Sequence, residues 1–238
     1  MLEQPLSYQD ESGILLQGQL VYDPGKKLPH PAVLVAPDWS GCNHFAREKA
    51  RYLASLGYTG FAIDMYGEGK VADSREEKMQ SIQPLMNNRL LIQQRMNAAL
   101  NALKALPIVD HANIGAIGFC FGGLCALDLA RSGVKIKGVV SFHGLLNPPE
   151  NLPQSAIHAK ILALHGYDDP MVTPDQVNAF AAEMTLAKAD WQIHMYGNTK
   201  HAFTNPEAND PAFGTVYQEI ANHRAFISMK NFFAEVFV

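Results

Sequence analysis

The chain has 238 residues, 47% of them hydrophobic and 18% charged, with a formal net charge of -4. That length and apolar content support a buried core without disulfide staples, which excludes disordered, fibrous and disulfide-built classes. The mildly acidic balance provides no footprint for nucleic acid or an anionic membrane surface.

Three cysteines, Cys42, Cys120 and Cys125, are an odd count and make no disulfide framework. The opening residues Met1-Leu2-Glu3-Gln4-Pro5 lack the basic and apolar regions of a signal peptide. No apolar run approaches the roughly 18 residues of a membrane helix. A reducing cytoplasm is the expected compartment, where a free cysteine serves packing or chemistry.

In chain order, Ile14 to Val21 reads as an edge-type strand, and Ala32 to Ala36 is a short apolar run of the buried parallel kind. Phe45 to Leu56 predicts a helix stopped by Gly57, and Gly60 to Ile63 a second apolar strand. The clearest helix is expected from about Leu85 to Leu106. Leu85, Ile92, Met96, Ala99, Leu103 and Leu106 recur at three- and four-residue steps, between Pro84 and Pro107. Arg89 falls on this inward stripe and must be paired there, by a structural salt bridge or by a substrate carboxylate.

Strands follow at Ile114 to Ile117, Lys137 to Phe142 and Ile161 to Leu164, with helices from near Gly122 to before Gly133 and from Pro174 to Ala187. Trp191 to Tyr196 alternates, with Trp191, Ile193 and Met195 on one face and Gln192, His194 and Tyr196 on a polar one. A last helix, roughly Thr215 to Val236, carries Phe226, Met229, Phe233 and Val236 along one stripe. Strand–helix alternation over residues 1–238 predicts one α/β domain: a mostly parallel central sheet with helices on both faces.

The sharpest chemical signal is Gly118-Phe119-Cys120-Phe121-Gly122-Gly123, between a strand and a helix. A nucleophile on such a turn needs small neighbours, because the backbone is strained and closely packed. The turn lifts Cys120 clear of the sheet, aims the Phe121 N–H at the reacting oxygen, and places a helix N-terminus where it favours thiolate. Cys125, inside the following helix, reads as packing, and Cys42 as a loop residue that only lines the site. A dinucleotide loop built on Gly115, Gly118 and Gly122 has the wrong spacing. It also lacks an acid at the end of the next strand, Val140-Ser141-Phe142-His143.

A cysteine nucleophile normally works with a histidine. His201, in the polar loop Gly197-Asn198-Thr199-Lys200-His201 after the last strand, is the favoured base. His194 is mid-strand and His223 reads as a solvated helix residue. His165-Gly166-Tyr167-Asp168-Asp169-Pro170 supplies two candidate acids, and spacing alone does not choose between them. His143 and His165 read as hydrogen-bonded core or turn histidines.

Taken together, Gly118 to Gly123, His165-Gly166-x-Asp168-Asp169-Pro170 and His201-Ala202-Phe203 resemble the dienelactone hydrolase family of α/β hydrolases. The likeness covers nearly the whole chain, including Asp64-Met65-Tyr66-Gly67 and Val139 to Gly144. It implies the α/β-hydrolase fold and a Cys120, Asp169, His201 triad, and so selects Asp169. It also implies a second oxyanion donor at the backbone N–H of Trp39, in Ala36-Pro37-Asp38-Trp39-Ser40-Gly41.

Two departures stand out. The family carries a glutamate, which interacts with the resting thiol, where this chain has the shorter Asp38. One of the arginines that hold the substrate's carboxylate falls at Asn205, so a bidentate fork is lost there. Arg89 is the partial replacement and Arg75 a weaker one.

The expected activity is hydrolysis of a small ester or enol lactone through an acyl-enzyme, of the carboxymethylenebutenolidase type. General carboxylesterase or thioesterase activity is the alternative within the class, and a non-catalytic binding protein on the same scaffold the alternative outside it. No metal or organic cofactor is expected, because the histidines lack ligand spacing such as His-Glu-x-x-His. The expected partner is a small-molecule ester or lactone, not nucleic acid or membrane, and the sequence leaves the oligomeric state open.

Overall fold

A computed structural model describes residues 1–153 and 155–237. The chain divides into two units, Met1–Ile117 and Gly118–Val238.

In the first unit, β1 (Leu2–Gln9) and β2 (Leu15–Tyr22) form an antiparallel hairpin. β2 pairs antiparallel with β4 (Thr59–Ala62), and β4 pairs in parallel with β3 (His30–Ala36). β3 and β4 are almost wholly buried, as their unbroken apolar runs require. β1 was not apparent from the sequence. It is polar, contains Pro5 and buries only Tyr8, as an edge strand does.

Helix α1 (His44–Leu56) starts where Asn43 Oδ1 accepts the Ala46 N–H at 3.1 Å, and it ends at Gly57, whose φ is 99°. It buries Ala46, Ala50, Leu53 and Ala54. A Cβ on Gly60 would lie 2.4 Å from the Ala50 carbonyl, so this strand residue must be glycine for the helix to pack so closely.

The long helix expected from Leu85 to Leu106 is two helices, α2 (Arg75–Asn87) and α3 (Arg89–Lys104). Asn88, at φ -134° and ψ 83°, breaks the chain between them and caps α3 by accepting the Leu91 N–H. Pro84 lies inside α2 instead of opening a helix. Leu85 and Arg89 therefore sit on different helices, and the single inward stripe that made Arg89 a buried charge does not exist. Arg89 is half-buried at the first position of α3. The inward arginine of α3 is Arg95, which meets the buried Asp10 at 3.1 Å and donates to the Met65 carbonyl at 2.6 Å.

β5 (Val109–Phe119) begins five residues before the predicted strand and leads into α4 (Phe121–Arg131), every residue of which is buried. In the second unit β6 (Gly138–Phe142), β7 (Lys160–Gly166) and β8 (Trp191–Tyr196) pair in parallel. α5 (Pro174–Leu186) opens with a Thr173–Gln176 capping box. The last helix, α6, spans Glu219–Val236 and buries Met229, Phe233 and Val236 as expected.

Two details of the second unit differ from expectation. Residues 215 and 216 are not helical: Thr215–Val216, β-branched, form β10, which pairs with β9 (Asn209–Asp210). The polar face of β8 is exposed at Gln192 but partly covered at its centre, where His194 Nδ1 lies 3.0 Å from Ser228 Oγ on α6. With eight main strands, mostly parallel and interleaved with helices, the architecture is the expected α/β one.

Candidate active site

Cys120 is the single residue between β5 and α4. Its φ of 55° and ψ of -118° are strained for a side chain with a Cβ. The surrounding glycines make the turn possible. A Cβ on Gly118 would sit 1.9 Å from the Gly122 carbonyl oxygen, and one on Gly123 would sit 2.6 Å from both Gly144 Cα and Ser141 Oγ. The Cys120 N–H donates to the Phe142 carbonyl at 3.1 Å, which anchors the turn to the end of β6. Cys120 is partly exposed, whereas Cys42 and Cys125 are buried. Burial also pushes the Cys42 thiol above the usual range, and its sulfur rests 3.4 Å from the Ala62 carbonyl, consistent with a packing role.

His201 follows β8 in a loop fixed on both sides. Its N–H donates to the Gly214 carbonyl at 3.0 Å, and its own carbonyl accepts the Val216 N–H at 3.0 Å. The next residue, Ala202, has a φ of 58°. The short β9–β10 pair thus forms a clamp for the histidine loop. Nothing in the sequence announced it, since two-residue strands carry no periodicity.

The two adjacent aspartates divide their roles. Asp168 is exposed; its carboxylate accepts the Thr199 N–H at 3.1 Å, and its N–H donates to the Thr199 carbonyl at 3.0 Å. It ties the loop after β7 to the histidine loop. Asp169 is buried, with Oδ2 2.7 Å from His201 Nδ1 and Oδ1 accepting the Met171 and Val172 N–H groups at 2.8 and 3.3 Å.

Burial opposes charge on His201, but the neighbouring Cys120 thiol and the Asp169 carboxylate more than offset it. The ring is pushed up to about 10, so imidazolium is favoured. His201 Nε2 is buried and has no hydrogen-bond partner among the described residues.

His143 and His165 make the hydrogen bonds expected of core or turn histidines, and His223 is on the surface of its helix. His165 Nε2 lies 2.9 Å from the Val172 carbonyl, and burial lowers its basicity. His143 Nε2 lies 2.8 Å from Thr204 Oγ1. His223 is exposed.

In the first unit, Asp38 forms an Asx turn, its Oδ1 accepting the Ser40 N–H at 2.8 Å. The Trp39 carbonyl accepts the Tyr66 hydroxyl at 2.8 Å, and Lys78 stands 5.8 Å over the indole. Tyr66 is fixed in turn by Asp64, a fully buried carboxylate that accepts the N–H groups of Gln17, Tyr66, Gly67 and Gly69. Asn205 is a turn residue: it donates from its N–H to the Ala202 carbonyl and accepts the Glu207 N–H at 3.0 Å. Among the described residues, no group of three or more His, Cys, Asp or Glu is placed to hold a metal, and no helix is long and apolar enough to cross a membrane.

A cysteine on a strand–turn–helix elbow and a buried Asp–His pair on the two loops that follow define an α/β hydrolase. A solved structure of the same fold, a dienelactone hydrolase-like promiscuous phosphotriesterase, P91, from metagenomic libraries, is 37% identical. It aligns with a TM-score of 0.92 over 100% of this chain and 99% of its own. The family itself follows from sequence: residues 18–237 match the dienelactone hydrolase family, and the chain belongs to it.

Among curated relatives, a Bradyrhizobium protein described as a probable 2-oxo-3-(5-oxofuran-2-ylidene)propanoate lactonase is 30% identical over 183 residues, 73% of each chain. The carboxymethylenebutenolidase of Pseudomonas putida is 24% identical over 219 residues, 88% of this chain and 89% of its own. The protein is a carboxylic ester hydrolase of the dienelactone hydrolase type.

Proposed function

We propose that this chain, acting as one domain, hydrolyses small esters or enol lactones through an acyl-enzyme on Cys120. The observation that carries the reading is the buried Asp169–His201 hydrogen bond at 2.7 Å, in a chain whose Cys120 is held on the strained β5–α4 elbow. The single-domain reading draws support from a family match that runs across both units.

In this mechanism the thiolate attacks the carbonyl, and the N–H groups of Phe121 and Trp39 receive the oxyanion. Losing one such donor typically costs a factor of about 10² to 10³. The tetrahedral intermediate collapses as the carbonyl–oxygen bond of the leaving group breaks and the His201 imidazolium passes its proton to the departing oxygen. The neutral ring then acts as general base on the water that breaks the thioester and regenerates the Cys120 thiolate and the imidazolium, while Asp169 holds the ring and its charge. An enolate leaving group needs little protonation, which suits a thiolate. With Asn205 engaged in a turn, a substrate carboxylate would fall to Arg89. The reaction uses no cofactor, and the site suits the reducing cytoplasm that its free thiol requires.

The 37% identity with the P91 phosphotriesterase over the full chain makes phosphotriesters the second substrate class to try.

The experiment is a panel of aryl esters, thioesters, unsaturated lactones with and without a carboxylate, and one phosphotriester, run on wild type and Cys120→Ala. Turnover abolished in a folded Cys120→Ala supports the reading, and retained turnover removes the nucleophile. A rank order led by lactones separates lactonase from general esterase or thioesterase. Absence of turnover across the whole panel favours a binding protein.

A further inference from the structure

His143 lies at the end of β6 and plays no part in the steps above. Its φ of 38° belongs to the left-handed region, unusual for a bulky non-glycine residue and held only where the surroundings enforce it. The enforcement is visible. The His143 N–H donates to the Leu164 carbonyl at 2.8 Å, joining the corner to β7. The next residue, Gly144, is so close to α4 that a Cβ there would lie 2.9 Å from Gly123 Cα. The corner has no room to relax.

The buried ring is a hub of contacts within the second unit. It meets the His201 ring edge-on, with centroids 5.2 Å apart and planes at 65°. It meets Phe203 at 5.2 Å and 77°, and Phe119, the residue before the nucleophile, at 6.1 Å. Its Nε2 lies 2.8 Å from the hydroxyl of the fully buried Thr204, three residues past His201. His143 thus touches three residues of the histidine loop and one of the nucleophile strand. The Asp169 hydrogen bond fixes one atom of the His201 ring, Nδ1. A ring held at one atom can still swing about that bond, and an edge-on ring beside it removes the swing.

We infer that His143, locked by Thr204, is a positioning residue that sets the plane of the His201 imidazole toward Cys120; this rests on the acyl-enzyme reading above. If the polar pair served packing alone, two apolar side chains of the same shape would replace it at little cost. A polar pair beside His201 has a use in orientation: a 1 Å misplacement of a reacting group can cost about 10²-fold in rate.

The test uses the full chain carrying Thr204→Val, Thr204→Ser, His143→Gln or the apolar pair His143→Leu with Thr204→Val. Turnover of a 4-nitrophenyl ester, thermal melting and the low-field proton resonance of the Asp169–His201 hydrogen bond are measured for each. Thr204→Val and the apolar pair are expected to lower kcat by roughly tenfold or more with KM within about twofold, and to shift or broaden the resonance. Thr204→Ser, which keeps the hydroxyl that locks the ring, should recover most of kcat, whereas His143→Gln, which keeps a polar group but loses the ring, should not.

A folded apolar pair with wild-type kcat and an unmoved resonance overturns the inference. So does a kcat loss in Thr204→Val that Thr204→Ser does not restore. If the apolar pair does not fold, Thr204→Ser against Thr204→Val decides. The resonance is observed without turnover, so it judges the positioning role separately from Cys120→Ala, which judges the nucleophile.

Discussion

The carboxylate of Asp169 is engaged at both oxygens: Oδ2 holds His201 Nδ1 at 2.7 Å while Oδ1 takes the N–H groups of Met171 and Val172. The two functions separate in Asp169→Asn. The amide oxygen can keep the turn, but its NH₂ group then faces Nδ1 and forces the proton onto Nε2. An imidazole with Nε2 protonated is unable to accept a proton from sulfur or water. We expect kcat to fall by about 10³ to 10⁴ with the fold intact. Steady-state kinetics beside circular dichroism checks this, and a loss below tenfold would argue against Asp169 as orienter.

His201 sets a pH dependence of stability with a defined sign. Its basicity in the folded chain is raised to about 10 despite its burial, held there by Cys120 and Asp169. The unfolded chain has an ordinary histidine, near 6.5. The stabilisation is therefore complete below about pH 6.5 and is lost as pH rises through about 10. Between those limits, wild type should lose melting temperature relative to His201→Gln. Parallel curves for the two proteins from pH 6 to 10 would contradict the paired imidazolium.

Gly118 is the tightest point of the elbow, with a virtual Cβ 1.9 Å from the Gly122 carbonyl. The obstacle is backbone, which side-chain rotation does not relieve. Gly118→Ala should destabilise the protein by about 3 kcal/mol or more, at the upper end of over-packing costs. Gly197→Ala is the control, because no atom lies within 4 Å of its virtual Cβ. Urea unfolding of both variants measures the difference, and equal stabilities would refute the close approach.

The same elbow shows what a sequence makes legible. Gly118, Cys120 and Gly122 announce themselves because a strained turn admits few residue types, and the unbroken apolar strands β3 and β4 do so because burial on both faces does. Asp168 and Asp169 are indistinguishable by spacing: one is exposed and the other buried because of loops more than 25 residues further along the chain. The break at Asn88 was hidden because Leu85 and Ile92 fit one helical period even though they lie on two helices. The β9–β10 clamp and the Tyr66–Trp39 hydrogen bond depend on long-range partners that periodicity does not encode.

Arg131 illustrates the same limit and carries the last prediction. At the C-terminal end of α4 it looks like an ordinary helix-ending cation, yet it is buried. Its Nε and one NH₂ group grip both oxygens of Glu183 on α5 at 2.8 Å, a bidentate pair. It also reaches fully buried Asp128 at 3.2 Å and the Leu146 carbonyl at 2.8 Å. One guanidinium therefore joins α4, α5 and the loop after β6. Arg131→Ala removes the cation from two carboxylates with little access to water, and should cost about 3 to 5 kcal/mol. Glu183→Ala removes one anion at the better-hydrated end and should cost less. The double variant should be more stable than the sum of the two losses predicts, by more than about 0.5 kcal/mol, since the pair is in direct contact. Urea denaturation of the four proteins in a double-mutant cycle measures this, and strict additivity would show that Arg131 and Glu183 do not act as a pair.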